Sequence, residues 1–558
     1  MRQWIFGSFA GWLLRKQLNI LLDLSVFLIR TISSLFRLLS GGRLTWGSGK
    51  AVATGKSEAD EAKREAGCKQ VVLEFASALG YIAREAMNKK ELEDKIYTQK
   101  IEPEALAGEL HKRIAKIPGV TLGTRPNADF PFAIKLPYSI RDKHVYMIGR
   151  SGSGKTNLIR SMILQDIYYG RGVGVLAPEQ ELITDELLPY IPQERIDDIV
   201  YINPADSKFP IAFNPLHCEP WEDKDEKIED FITLFKRTVG ETGFRMDDIL
   251  DHTLYALVNR RGSTLLDIPR FLSRENPAFR NEVLRTADER VRTFFTETYP
   301  SMDRNAASPI ISRINAFTRR EAIRNLLCQP GKSFNFRHAM DEAKILLFNL
   351  SDGILGEQSS QLLGQIIISK IQLAAMSRAD TPKAQRHPFY LYLDEFQTFT
   401  GVAETSYSRI LSRARKYGLG LILAHQQTGQ ISQKLLKEIF GNVSTFISFS
   451  VSSEDASKLS QEYAYDEAGG IGFVEPGEFL RLRTGEAIGK IEKTVFPLHT
   501  ILLPTEPQPE KVDFIINRSR KNYSNGAKWE ENIPPFEQRQ LPPPKDDEDE
   551  PPDPSQVF

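Results

Sequence analysis

The sequence predicts an α/β protein in which a mainly parallel sheet carries a phosphate-binding loop and an all-helical segment is inserted between strands. Three observations lead there. Residues 144–157 (HVYMIGRSGSGKTN) read as an apolar strand, then G-x-x-x-x-G-K-[ST], then the start of a helix. A second apolar strand, 389–393, ends in Asp394-Glu395. Around these, short apolar runs alternate with helical patterns, the arrangement of βαβ units whose parallel strands are buried on both faces.

The loop is the most specific of these signals. Its glycines, Gly149, Gly152 and Gly154, let backbone N–H groups turn inward and cradle a polyphosphate at the positive end of the next helix. Arg150, Ser151, Ser153 and Asn157 complete the cradle. Lys155 is expected to reach the β- and γ-phosphates and Thr156 to coordinate Mg²⁺, so the cofactors implied are ATP and Mg²⁺. Leu158, Ile159, Met162, Ile163 and Ile167 then repeat at helical spacing, and Gly170 offers a stop.

The chain of 558 residues is long enough for two or three domains. A formal net charge of −1 means that no global basic field advertises a polyanionic partner. Cys68, Cys218 and Cys328 are far apart and form no C-x-x-C, which points to a reducing compartment without disulfides or structural zinc.

Residues 1–50 are expected to be an amphipathic, membrane-associated segment and linker. On a helical wheel Asn19, Asp23, Arg30, Ser33 and Arg37 gather opposite Leu21, Leu24, Phe27, Leu28, Ile32 and Leu35. No uncharged run reaches the ~20 residues of a spanning helix, so the helix is read as lying on the membrane surface. The need for ATP and Mg²⁺ puts it on the cytoplasmic face of the membrane.

Residues 51–129 read as a helical, then extended lead-in, and 130–220 as the first part of the nucleotide-binding core, with a strand at 172–178 and another at 199–202. From 221 to 330 strand patterns vanish and Arg/Glu-rich helical repeats take over, the expected all-helical insertion. The core resumes over 331–504. In it, Asp394 is expected to hold Mg²⁺ and Glu395 to polarise the attacking water.

A helix over 404–417 ends in Arg409, Arg413, Arg415 and Lys416, and Leu419 to Ala424 form a strand followed by His425-Gln426-Gln427. Ligands bind beyond the carboxyl ends of parallel strands, so Gln426 is a candidate sensor of the γ-phosphate. Arg415 is a candidate arginine finger toward a neighbouring subunit's nucleotide, with Arg413 as the alternative. A hairpin with a turn at Thr484-Gly485 is expected over 478–493, and a disordered, Pro-rich, acidic tail over 505–558.

Taken together, residues 142–149, the Leu393-Asp394-Glu395-Phe396-Gln397 block and Ala414-Arg415-Lys416-Tyr417-Gly418-Leu419 resemble the HerA/FtsK superfamily of DNA-pumping ATPases. Within it they are most similar to type IV secretion coupling proteins of the TraG/TraD kind. The resemblance covers roughly 130–500 and implies a RecA-like core with a helical insertion, assembled as a ring, usually a hexamer. By matching motifs it also implies phosphate and Mg²⁺ binding at Lys155 and Thr156, a second ATPase motif at Asp394 and Glu395, the glutamine after the next strand at Gln426, and a trans-acting Arg415. One departure stands out: where the family usually shows Asp-Pro-x-Gly-acid, this chain has Ala177-Pro178-Glu179-Gln180-Glu181.

The function so implied is an ATP-driven DNA translocase feeding a conjugative or type IV secretion apparatus at the membrane, with DNA, further copies of itself, a relaxase and channel proteins as partners. Two other readings remain at this point. One is a secretion or pilus-assembly ATPase acting on protein, and the other a nucleotide-gated membrane scaffold.

Overall fold

The computed structural model describes residues 54–524, apart from short stretches at 80–88, 127, 219–223, 240–242, 276, 331–332, 402–403, 468–469 and 502–505. The segment expected on the membrane, 1–50, therefore lies outside the described residues. Among those described, no helix is long and apolar enough to cross a membrane.

Eleven strands make one sheet. In chain order they are β1 (Gly119–Thr124), β2 (Ala133–Pro137), β3 (Val145–Ile148), β4 (Gly172–Ala177), β5 (Ile199–Ile202), β6 (Ile345–Asn349), β7 (Phe389–Leu393), β8 (Leu419–His425) and β9 (Thr445–Ser448). A separate hairpin, β10 (Ala464–Glu467) and β11 (Gly470–Phe473), follows, and β12 (Glu486–Ile491) and β13 (Thr494–Thr500) complete the large sheet. Its order is β2-β1-β13-β12-β9-β3-β8-β7-β4-β6-β5. The strands from β9 to β5 in that order are parallel, and β12, β13, β1 and β2 extend the sheet antiparallel. This is an α/β fold with a mainly parallel sheet.

Residues alternate between its two faces, as the two-residue period of a strand demands. Val145, Met147, Val173, Val175, Tyr390 and Tyr392 enter one core together with α1 (Thr54–Leu79), α2 (Pro103–Ala115) and α3 (Lys155–Tyr168). Tyr146, Ile148, Leu176, Leu391 and Leu393 enter the other. That second face is covered by the helices between Lys224–Val239 and Phe336–Asp341. It also takes α4 (Glu357–Ser377), α5 (Glu404–Arg413), α6 (Gln433–Asn442), α7 (Ser453–Glu462) and α8 (Pro476–Arg481). Strands packed on both faces need continuous apolar runs, which is why β3, β4, β6, β7 and β8 stand out in the sequence.

One buried ion pair fixes the central elements against each other. The Arg141 guanidinium lies 2.6 Å from both Asp166 carboxylate oxygens, and both side chains are fully buried. Tyr392 donates its hydroxyl to Asp166 at 2.7 Å, and the Arg141 guanidinium sits 3.9 Å from the centre of the Tyr390 ring. The turn before β3, helix α3 and strand β7 are thereby locked together. A desolvated pair of this kind is tolerated only when its remaining hydrogen-bonding capacity is met, and the tyrosine does much of that.

Four expectations need correction. The sheet begins at 119 rather than 130, because β1 pairs with β13 at Gly123↔Thr500 and the lead-in is thus part of the same layer. The helical stretch runs on to Asp341, and the sheet resumes at β6. The strands expected over 478–493 are displaced: α8 fills Pro476–Arg481, started by the fixed φ of Pro476, and the hairpin joins β12 to β13 through Glu492 and Lys493. Lastly, the chain after 505 is not wholly disordered. Helix α9 (Lys511–Tyr523) packs on β5, with Ile515 buried and the Ser519 hydroxyl accepting the Tyr201 N–H at 2.8 Å. Residues 525–558, with the acidic run, lie outside the described residues.

Candidate functional site

The phosphate loop joins β3 to α3, and two glycines show why it has its sequence. A Cβ at Gly149 would lie 2.6 Å from Phe449 Cβ, so nothing larger fits there. Gly154, at φ +110°, is left-handed, and a Cβ there would crowd the Gly485 backbone nitrogen at 3.1 Å. The loop is anchored by its backbone: Gly149 N–H donates to His425 O at 3.2 Å and Arg150 N–H to Ser450 O at 2.8 Å. A third anchor was not foreseen. Gly485 N–H donates to Ser153 O at 2.9 Å and the Thr484 hydroxyl to Gly152 O at 3.3 Å, so the turn entering β12 closes on the loop from outside. The Thr-Gly pair was visible in the sequence, but nothing local says what it touches.

Lys155 is buried and donates to Gly149 O at 2.6 Å and Arg150 O at 3.2 Å. Burial lowers its pKa, opposed by the charges of Glu395 and Asp394. The Ser153 hydroxyl is buried without a hydrogen-bond partner. A buried donor left over beside a glycine loop is what a bound phosphate would satisfy, so the residues fit the group. Arg150, Ser151, Gly152 and Asn157 line the open side of the loop and are exposed.

Strand β7 delivers the carboxylates. The Thr156 hydroxyl donates to Asp394 Oδ2 at 3.3 Å, and Glu395 N–H donates to Asp394 Oδ1 at 3.0 Å. Burial, and next the charge of Glu395, push the Asp394 carboxyl up to about 6. A hydroxyl and a buried carboxylate in contact form the oxygen donor set a hard divalent cation takes. Glu395 holds φ +46°, ψ +47°, a left-handed conformation that costs a non-glycine residue about 1 kcal/mol or more and gathers at functional sites. Both oxygens of its carboxylate are held: Gln397 Nε2 donates to Oε2 at 2.7 Å and Gln426 Nε2 to Oε1 at 3.0 Å. Gln426 thus meets Glu395 directly, and Gln397 is a contact the sequence reading missed although it sits in the same motif.

Behind Gln426 stands His425. Its ring is fully buried, with Nε2 2.6 Å from the Tyr146 hydroxyl and its centre 4.8 Å from that of Phe396. Burial lowers its pKa to about 3, so it is neutral at physiological pH. Through backbone and ring it touches the phosphate loop and the residue after Glu395, and it is the last residue of the strand that leads to Gln426.

The structure brings Lys155, Thr156, Asp394, Glu395 and Gln426 together at the carboxyl ends of β3, β7 and β8. It does not bring Arg415 there. Arg415 is exposed in the turn before β8, at the opposite end of that strand, about 20 Å away by strand rise.

Comparison with known proteins agrees with this architecture. A family model described as the type IV secretion-system coupling protein DNA-binding domain matches residues 132–466. No curated protein matches the chain. Among solved structures, the unbound bacterial conjugative coupling protein TrwBdeltaN70 aligns with a TM-score of 0.50 at 13% identity, over 72% of this chain and 94% of that one. TrwB in complex with ADP and Mg²⁺ aligns with a TM-score of 0.51 at 14% identity, over 72% and 93%. VirB4 of Thermoanaerobacter pseudethanolicus gives 0.49 at 14% identity, over 69% and 97%.

Proposed function

Because the chain belongs to the type IV secretion-system coupling proteins, we propose that it is a ring-forming ATPase that binds DNA and feeds it to a conjugative secretion apparatus at the membrane. The observation that carries the ATPase reading is the grouping of Lys155, Thr156, Asp394, Glu395 and Gln426 at the carboxyl ends of the central parallel strands, within the matched residues. TrwB, which shares the fold, has been solved with ADP and Mg²⁺, and the same ligands suit the donors here.

In this reading the loop N–H groups and Lys155 hold the β- and γ-phosphates, and Thr156 with Asp394 holds Mg²⁺. When bound, the ion offsets charge on the transferring phosphoryl oxygens. Glu395 orients the attacking water and accepts its proton, while Gln397 and Gln426 fix the carboxylate's direction. Gln426 spends one N–H on Glu395, and its second N–H is free in number to meet the γ-phosphate, which would tie the end of β8 to the nucleotide state. A carboxylate held by two amides serves catalysis and has no use in a passive scaffold.

Arg415 serves a neighbouring subunit, since it lies at the far end of β8 from its own loop. Arg415→Ala is expected to leave nucleotide affinity intact and to lower turnover about a thousandfold. Mixing it with Lys155→Ala subunits, which keep Arg415, should restore part of the activity. Full affinity and full turnover in Arg415→Ala would remove the assignment.

Residues 1–50 hold the ring to the cytoplasmic face of the inner membrane, where a relaxase and channel proteins are its further partners. The test of the whole reading is steady-state ATP hydrolysis by the full-length protein without nucleic acid, with single-stranded DNA and with duplex DNA, against Lys155→Ala as the blank. Turnover is expected to rise with DNA. Turnover indifferent to DNA in assembled rings would turn the reading toward a protein cargo.

A further inference from the structure

Helices α5 and α6 flank β8, the strand that carries Gln426, and they enclose a groove of about 410 Å³. Arg409, Arg413, Ser408 and Ser412 line it from α5, and Glu438 and Asn442 from α6. The spacing explains the arrangement. Tyr407, Ile410, Leu411 and Ala414 turn into the core, which leaves Ser408, Arg409, Ser412 and Arg413 on the open side at i, i+4 intervals. Lys434 stands one turn before Glu438 on α6 and is exposed. Apart from Arg415, five cations between Glu404 and Asn442, Arg409, Arg413, Lys416, Lys434 and Lys437, meet two carboxylates, Glu404 and Glu438. That is a formal +3 within a chain of net charge −1.

We infer that this groove holds the sugar–phosphate backbone of DNA, an assignment that rests on the DNA-coupling reading above. The guanidinium groups are the donors that position phosphates, without base preference, while the Ser408 and Ser412 hydroxyls are taken by their own helix, donating to Glu404 O at 3.1 Å and Ser408 O at 2.7 Å. Glu438 is the one carboxylate that lines the groove, and two guanidinium groups outweigh it. The location also couples DNA to turnover. The Ser432 hydroxyl at the start of α6 donates to Glu404 at the start of α5. The two walls are therefore tied to each other, and they are the α-helices on either side of β8 in the chain, each joined to it by one short turn. Seating a phosphate backbone between them bears on Gln426 and through it on Glu395.

The test uses full-length protein carrying Arg409→Ala and Lys434→Ala together. A control carries Lys112→Ala and Lys116→Ala, two exposed lysines at the end of α2 and just beyond it that remove the same charge elsewhere. Binding of a labelled single strand and of a duplex of equal length is followed across roughly 50 to 200 mM salt, alongside DNA-free ATP turnover. The groove double variant should lose about tenfold or more in DNA affinity at low salt, and its log–log salt slope should shrink by between one and two, as the release of fewer counterions requires. The control should keep both. Affinity and slope like those of the control would overturn the groove while leaving the DNA-coupling reading in place. Failure of the unsubstituted protein to bind DNA would overturn both. Loss of DNA-free turnover with DNA affinity retained would make the groove a subunit contact and overturn the inference.

Discussion

Glu395→Gln is expected to lower ATP turnover by about 10²–10⁴-fold while nucleotide affinity stays within a few-fold of the parent. The side chain keeps its size and its place after β7, and Lys155 and Thr156 are untouched, so the phosphates are still held. What is lost is a carboxylate able to take a proton from water. The two amides that hold Glu395, at 2.7 and 3.0 Å, both donate to it. A glutamine can accept from one of them and presents its own N–H₂ to the other, so one facing amide must turn its oxygen toward it to keep the contact. Single-turnover hydrolysis beside equilibrium binding of a fluorescent ATP analogue separates these effects. Turnover within tenfold of the parent would place the base elsewhere.

Asp394→Asn should combine loss of activity with a gain in stability. The Asp394 carboxyl is buried and raised from 3.8 to about 6. For an acid shifted upward the linkage runs against the ionised form: the group favours the folded state below pH 3.8, and that contribution is lost as pH rises through about 6. At pH 8 without magnesium the asparagine variant should therefore melt above the parent, by on the order of 3 kcal/mol at most, and the difference should close below about pH 4. Its turnover should fall at least about a hundredfold, because an amide does not replace a carboxylate on a divalent cation. Added Mg²⁺ should stabilise the parent and leave the variant unmoved. A variant that melts below the parent at pH 8, or that Mg²⁺ stabilises equally, would show that Asp394 is not the cation's carboxylate.

The parts of the molecule legible in the sequence are those whose signal is local. Strand β3 and its loop, β7 with its terminal carboxylates, and β8 before Gln426 each announce themselves within about ten residues, since a strand buried on both faces has no choice but to be apolar. What was hidden is non-local or masked by composition. Pairing of β1 with β13 joins Gly123 to Thr500, and no pattern at either end names the other. The closing of Thr484-Gly485 on the phosphate loop is of the same kind. Helix α9 was lost behind Pro504, Pro507 and Pro509, which made the whole tail read as disordered, although Ile515 and Ser519 already lie four apart on one helical face. The sequence also showed Gln426 beside the site without showing that its amide grips Glu395, because that depends on the register of β8 against β7.

Helix α9 has a meaning beyond its place in the tail. Strand β5 is the last in its sheet, and an uncovered terminal strand offers a row of free N–H and C=O groups on which another polypeptide can build. Ser519 occupies the Tyr201 N–H in the middle of that row, and Arg518 and Arg520 clasp Asp197 and Asp206 on either side of it. The ring proposed above would concentrate many copies of this strand in a small volume, where templated cross-strand association would compete with ordered assembly. The thirteen residues Lys511–Tyr523 act as a stopper against that outcome.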